Sequence, residues 1–136
     1  IQIRLVGSEM CIRDSQKLLD KNCIDFLQMD ICSCGGLTEA KRISALSSTK
    51  GVKVIPHTWG SGIAFFTAIN FISNLEPIPG RLYKEDAYIE YDRTENKIRE
   101  NIIKNNIVMK DGYIEVNTKP GLGIDVDETY LNKVKI

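Results

Sequence analysis

The sequence has 136 residues, enough for one domain of ordinary size, and its 43% hydrophobic and 26% charged residues are typical of a globular protein. Its 18 basic and 18 acidic residues balance, so no basic excess indicates binding to nucleic acid or to an anionic membrane. We find no signal peptide and no apolar run as long as a membrane span, and we expect the 4 cysteines to be reduced thiols. These features predict a cytoplasmic protein.

The start of the chain has an unusual sequence. Residues 5–15 read LVGSEMCIRDS, which matches the translation of a common transposase-based sequencing adapter. We therefore interpret residues 1–15 as a translated adapter and predict that the natural reading frame begins near Gln16; the alternative is an unusual natural N-terminus. Since an adapter is not selected to fit a fold, we expect residues 1–15 to lack stable packing against the sheet.

From Gln16 onward, strand and helix patterns alternate. This order is typical of an α/β fold with a parallel sheet and crossover helices, and both a short doubly wound sheet and part of an eightfold barrel fit it. The predicted elements are the end of a helix at 16–21, a buried strand at 24–29, a helix at 39–48 capped by Thr38, a strand at 52–56, a helix at 63–73 capped by Ser61, and a strand at 87–91.

The last part of the chain has a different pattern. We divide the sequence into residues 1–15, the α/β part at 16–92 and a C-terminal extension at 93–136 that packs outside the sheet. The extension is predicted to contain a helix at 95–103, a hairpin of residues 107–109 and 113–116, a short strand at 124–126, and a helix at 128–134 capped by Asp127.

Three polar residues, Asp30, His57 and Glu90, lie at or near the ends of the predicted strands. Reactive side chains collect at the carboxyl ends of parallel strands, which lie about 4.8 Å apart. Asp30 is therefore predicted to bond a ring nitrogen of His57 at about 3 Å, which would fix the imidazole tautomer for proton abstraction. In the alternative, Asp30 only caps the following Gly-Gly turn, His57 bonds a loop, and Trp59 plugs the rim of the sheet instead of lining a pocket. Other nearby glutamates compete with Glu90: Glu76, Glu85 and Glu95.

Four strings in the sequence carry a family resemblance: DICSCGG from residue 30, PHTWGSG from residue 56, IEYDRTEN from residue 89, and DGYIEV with KPGLGI between residues 111 and 124. Together they resemble the C-terminal part of the mandelate racemase and muconate-lactonizing enzyme family of the enolase superfamily, above all its acid-sugar dehydratases and lactone cycloisomerases. The resemblance covers residues 16–136. It implies that residues 16–92 are about strands six to eight of a (β/α)8 barrel and that the extension packs on a capping domain.

The resemblance also implies a mechanism, in which a base removes the proton α to a substrate carboxylate and Mg²⁺ stabilises the enediolate. It implies that His57 is the base or acid, that Asp30 orients it, and that Glu90 donates a hydrogen bond to the carboxylate of a sugar acid or lactone. Thr58 and Trp59 would contact the substrate. The parent enzyme would be a homo-oligomer.

The resemblance further places the metal ligands, a lysine base and the capping domain upstream of this chain. We therefore expect no metal site within these residues and no turnover by the chain alone. Two rival interpretations stay open: a racemase or epimerase of the same family, and a non-catalytic α/β module in which Asp30 and His57 point apart.

Overall fold

The computed structural model describes residues 5–8, 12–80, 82 and 86–135, and the account below concerns these residues. Strands and helices alternate as far as the third helix, and the chain ends in a separate hairpin and short helices. The elements are β1 Leu5–Ser8, α1 Ile12–Asp20, β2 Phe26–Met29, α2 Leu37–Thr49, β3 Lys53–Val54, α3 Gly62–Ser73, α4 Lys97–Asn101, β4 Met109–Lys110, β5 Tyr113–Ile114 and α5 Glu128–Val134. None of the helices among the described residues is long and apolar enough to cross a membrane.

The sheet that carries the candidate site has the order β1-β2-β3, and both of its pairings are parallel. Leu27 of β2 faces Val54 of β3, and the pairing continues as a single bridge between Asp30 and His57. The backbone N–H of His57 donates to the carbonyl of Met29 at 2.8 Å. The α/β fold with parallel strands is as predicted, and the sheet aligns the carboxyl ends of β2 and β3.

The first 15 residues differ from the expectation. β1 pairs with β2 over all four of its residues, and α1 begins at Ile12 with the side chain of Ser15 fully buried. Ile12, Ser15 and Leu19 recur on one face of α1, and an open strand edge gains backbone hydrogen bonds from any extended neighbour. The expectation that this segment lacks packing is therefore wrong for these parts, whereas residues 1–4 and 9–11 lie outside the described ones. The pairing of β1 in register with β2 counts against an adapter origin, which stays a prediction about the DNA.

The apolar interior consists of two clusters that meet at α3. The first lies between the sheet, α1 and α2 and includes Leu27 and Met29, both 0% exposed. The second lies between α3 and the C-terminal extension and is centred on Phe65. Because α3 contributes buried residues to both, its apolar sequence is covered on most sides.

The two long crossover helices begin differently. The Ser61 side chain accepts a hydrogen bond from the Ala64 amide at 3.2 Å, so the predicted cap of α3 is confirmed. The predicted cap of α2 by Thr38 is wrong, because the helix already begins at Leu37 and its N-cap is Gly36. Gly36 has a φ of 87°, a left-handed conformation that favours glycine.

Residues 87–91, predicted as a third strand, have no regular secondary structure and pair in no ladder with the described strands. Neighbouring side chains hold this backbone instead. The Lys53 ammonium donates to the Asp86 carbonyl at 2.5 Å and lies 4.1 Å from the centre of the Tyr88 ring, while the Thr58 hydroxyl donates to the Glu90 carbonyl. The prediction of a regular strand is therefore wrong, and at Glu90 a side-chain donor satisfies the carbonyl that a ladder would otherwise pair.

The C-terminal extension largely follows its sequence signals. β4 and β5 form an antiparallel hairpin around Asp111 and Gly112, whose φ values of 53° and 83° suit a two-residue turn. The predicted hairpin is therefore confirmed, although both of its strands are shorter than predicted. Asp127 caps α5 through the Tyr130 amide, also as predicted. The predicted helix at 95–103 is shorter, α4, and the predicted strand at 124–126 is reduced to one bridge between Ile103 and Val126.

Gly62 lets the start of α3 approach α4 closely. A Cβ atom at this position would lie 2.5 Å from the Arg99 carbonyl oxygen and 2.9 Å from the Cδ1 atom of Ile103. We expect Gly62→Ala to lower the free energy of unfolding by about 1–3 kcal/mol in urea denaturation, because the overlap outweighs the better helix propensity of alanine. A variant as stable as the original chain would contradict this close contact.

Candidate active site

The candidate site lies where β2 and β3 end. Asp30 follows β2 directly, and His57 lies beside it through the parallel bridge. Glu90 comes from the segment without regular structure that lies next to β3. The structure therefore brings the three predicted residues to one edge of the sheet, as expected of side chains at the carboxyl ends of parallel strands.

His57 is paired with Glu90. Its Nδ1 atom lies 2.6 Å from Oε2 of Glu90, a distance typical of a charge-assisted hydrogen bond. The two side chains are 39% and 37% exposed, so a solute can reach them from solvent. Which atom donates depends on the tautomer: a carboxylate anion only accepts, and with such an acceptor the Nδ1 atom is the donor and Nε2 carries the lone pair.

Asp30 does not make the predicted hydrogen bond to His57, although both residues are described. Its Oδ1 accepts from the Cys32 amide and its Oδ2 from the Ser33 hydroxyl, each at 2.8 Å. The carboxylate thus caps the turn that leads to the two glycines, which was the alternative interpretation. The geometric prediction for Asp30 is wrong because two donors from its own turn lie closer in the chain than the imidazole.

Thr58 and Trp59, predicted as substrate contacts, differ in exposure. Thr58 is 4% exposed, and both its amide and its hydroxyl bond Glu90. Trp59 is 68% exposed beside the same edge of the sheet. Of the two, only Trp59 therefore presents its side chain to solvent. Such an exposed ring does not plug the rim of the sheet, which was the alternative interpretation of Trp59.

Sequence reasoning missed a cluster around Arg99. The guanidinium is 4% exposed, donates to Oδ2 of Asp92 at 3.1 Å and also donates to the Thr94 carbonyl, so α4 holds the segment just beyond Glu90. The spacing of Asp92 and Thr94 is typical of a local side-chain turn, and Asn96 caps α4. These two signals in the string DRTEN could have indicated an anchored turn.

The comparisons with known proteins agree with this architecture. Residues 2–130 match the sequence model of the family described as enolase C-terminal domain-like. The chain belongs to this enolase family. Among curated relatives, D-galactarolactone cycloisomerase of Agrobacterium fabrum is 31% identical over 87% of this chain and 31% of its own length. Other curated relatives are named as dehydratases of arabinonate and of galactonate.

Solved structures resemble this enolase-family chain closely. The 3,6-anhydro-D-galactonate cycloisomerase of Zobellia galactanivorans superposes with a TM-score of 0.81 at 38% identity, over 95% of this chain and 34% of its own. An enolase of Pantoea ananatis with bound d-gluconate and Mg superposes with a TM-score of 0.71 at 31% identity, over 90% and 28%. The chain thus spans about a third of the length of these relatives.

The described residues of this enolase-family chain do not fit a metal ion. They contain no group of three or more His, Cys, Asp or Glu side chains that could hold one. Desolvation, followed by the charge of Asp30, raises the pKa of the Cys32 thiol. Desolvation is also the main cause that raises the pKa of Cys34. A raised pKa leaves less of the reactive thiolate, so these two thiols near the site are not activated. The chemistry that these residues support is therefore that of the imidazole and its carboxylate.

The hydrogen bonds of Asp92 predict a pH-dependent contribution to stability. Hydrogen bonds from the Thr94 backbone and hydroxyl, and then the Arg99 guanidinium, hold the pKa of Asp92 below its usual value. A lowered pKa in the folded state stabilises the fold above the unfolded pKa, and this contribution is lost as the pH falls through the folded pKa.

We expect Asp92→Asn to lower the melting temperature at neutral pH and the difference to shrink in acid. The matched control is Glu95→Gln, whose side chain is 78% exposed; an equal pH trend in both variants would contradict the assignment.

Proposed function

We propose that this chain supplies the acid–base half of the active site of an enzyme that acts on sugar acids or their lactones. The observation that carries the proposal is the pairing of His57 with Glu90 at the solvent-accessible edge of the sheet, in a chain of the enolase family. The names of the relatives, which are cycloisomerases and dehydratases of sugar acids, supply the substrate class. We place residues 16–92 as strands six to eight of the barrel in the whole protein.

In the proposed reaction, His57 is the residue that moves the proton. Glu90 keeps one proton on Nδ1, so Nε2 takes the proton from the carbon next to the substrate carboxylate. The imidazolium that forms is stabilised by the Glu90 carboxylate 2.6 Å away. Departure of the group on the neighbouring carbon then opens a lactone or eliminates water, and the imidazolium can return its proton to the leaving oxygen.

We propose for Glu90 a part different from the one that the resemblance implies. Its Oε2 accepts hydrogen bonds from the His57 ring and from the Thr58 amide. We therefore propose that Glu90 is the orienting acceptor of His57 and not a donor to the substrate carboxylate. Asp30 supports the site indirectly, by fixing the turn after β2, and Trp59 is the proposed contact with the substrate.

We propose that the whole protein uses Mg²⁺, since the related Pantoea enolase holds d-gluconate and Mg. Mg²⁺ bound by such an enzyme stabilises the negative charge that develops on the substrate carboxylate. The ligands would have to lie outside the described residues. For the same reason we propose that the 136-residue chain alone turns over no sugar acid, even with excess Mg²⁺.

The test is a chimera. Residues from Gln16 onward are joined to the preceding part of the Agrobacterium D-galactarolactone cycloisomerase and assayed with aldarate lactones and Mg²⁺, beside the isolated chain. We expect ring opening or dehydration by the chimera and none by the isolated chain. Inversion of the α carbon without elimination would favour a racemase, and a folded chimera that binds Mg²⁺ but transforms no substrate would contradict the proposal.

A further inference from the structure

We propose that Asn96 is a positioning residue, which fastens the loop between β3 and α3 and so holds Trp59 where it can contact the substrate. This loop consists of residues 55–61, and Trp59 is its most exposed side chain. The proposal deepens the proposed function and rests on it for the role of Trp59. The fastening of the loop is measurable without any turnover.

Asn96 lies between two backbone groups of opposite polarity. Its Oδ1 accepts from the Arg99 amide at 2.9 Å, which caps α4, and its Nδ2 donates to the Gly60 carbonyl at 3.0 Å. Aspartate could cap the helix equally well, but a carboxylate has no proton for a carbonyl. The amide of Asn96 therefore does more than cap α4, because it also joins the helix to the loop.

The loop depends on this bond because its own structure restricts it little. Gly60 has a φ of 152°, in a region that glycine enters freely and that leaves its backbone mobile. The Trp59 ring is 68% exposed, so packing fixes little of it and its position follows the backbone on either side. Asn96 holds that backbone at the Gly60 carbonyl, directly after Trp59 in the chain.

α4 is itself anchored, so it can support the loop. The Arg99 guanidinium is 4% exposed and bonds the turn of residues 92–94. At Gly62 the start of α3 lies so near α4 that a Cβ atom would be 2.5 Å from the Arg99 carbonyl oxygen. The end of the loop is therefore held against α4 twice, at Gly60 by the Asn96 side chain and at Gly62 by close packing.

The test compares Asn96→Asp with the unchanged 136-residue chain. Aspartate keeps the cap of α4 and removes the donor to Gly60. We expect the backbone ¹⁵N order parameters of Trp59 and Gly60 to fall from about 0.85 to below about 0.6, the range of a flexible loop, while those of α4 stay unchanged. Asn96→Ser, which caps without a charge but has no amide, should give the same result.

The matched control is Asn117→Asp. Asn117 is bonded in the same two-sided way, since its Oδ1 accepts from the Lys119 amide and its Nδ2 donates to the Gly123 carbonyl, each at 3.0 Å. It lies in the connection between β5 and α5, so its replacement should leave the order parameters of the Trp59 loop unchanged. An unchanged loop in folded Asn96→Asp, or an equal loosening in Asn117→Asp, would overturn the proposal.

A second measurement does not depend on the folding of any variant. In the unchanged chain, the Nδ2 protons of Asn96 should exchange with water several times more slowly than those of the exposed Asn101, because one of them is bonded to the Gly60 carbonyl. Equal exchange rates for the two side-chain amides would overturn the proposal.

Turnover distinguishes positioning from a purely structural role. In the chimera, Asn96→Asp should raise KM about fivefold, the effect of losing about one hydrogen bond, and leave kcat unchanged. In a Trp59→Ala background the same substitution should change KM no further, because Asn96 acts through Trp59. A loosened loop with an unchanged KM would overturn the proposal. Failure of the chimera to turn over substrate, with the order parameters as expected, would contradict the proposed function and leave the fastening of the loop by Asn96 intact.

Discussion

Replacing His57 by asparagine in the chimera should reduce kcat/KM by about 10²–10⁴-fold, the usual contribution of a general acid or base. Asparagine can occupy the space and accept a hydrogen bond, but it cannot take a proton from carbon. The pairing with Glu90 at 2.6 Å is what singles out this side chain among the described residues. The measurement is steady-state turnover of an aldarate lactone, together with circular dichroism to show that the variant is folded.

Two carboxylate variants separate the supporting roles. Glu90→Ala removes the acceptor of Nδ1 and should lower kcat strongly, whereas Asp30→Asn keeps an oxygen that can accept from the Cys32 amide and should cost much less. The opposite order would restore Asp30 as the orienting residue. A chimera that folds, binds Mg²⁺ and is indifferent to His57→Asn would remove the basis of the proposed mechanism.

Replacing Phe65 by alanine should lower the free energy of unfolding by about 3–5 kcal/mol, the usual cost of deleting a fully buried aromatic ring. Phe65 is 1% exposed, and its ring centre lies 5.2 Å from that of Tyr91. Ile89 and Tyr91, on either side of Glu90, both pack on the cluster to which Phe65 belongs. The cavity should therefore loosen the segment that carries Glu90 as well as the interior.

The stability change can be measured by urea denaturation, followed by circular dichroism. The matched control is Tyr113→Ala in the hairpin, because that ring is 66% exposed and its removal should change stability by a small fraction of the Phe65 effect. Equal losses for the two aromatic rings would show that the second cluster contributes little to the fold.

Local chemistry explains which parts of the fold could be predicted. The Ser61 and Asp127 caps and the Asp-Gly turn of the hairpin each depend on a few neighbouring residues, and the structure confirms all three. The strand predicted at 87–91 depends on a partner distant in sequence. An alternating apolar pattern indicates an extended backbone, but it does not say whether amides or side chains will satisfy its carbonyls.

The candidate site divides in the same way. That Asp30 and His57 share an edge follows from the parallel topology, which the order of elements already predicts, whereas Glu90 reaches the same edge through side-chain hydrogen bonds. Which carboxylate bonds the imidazole is decided by competing donors at about 3 Å, and strand spacing cannot resolve such differences. The Cys32 amide and the Ser33 hydroxyl take Asp30, and the ring of His57 is left to Glu90.

The attachment of residues 86–94 by side chains, from Lys53 through Thr58 to Arg99, also bears on how the molecule assembles. Contacts between consecutive strands and helices close small loops and form early, while a segment without a ladder gains its contacts only after its neighbours are in place. We therefore expect the pairing of His57 with Glu90 to form late in folding. A refolding chain should regain most of its helical signal before its imidazole finds a partner, which time-resolved circular dichroism and the imidazole signal of His57 would separate.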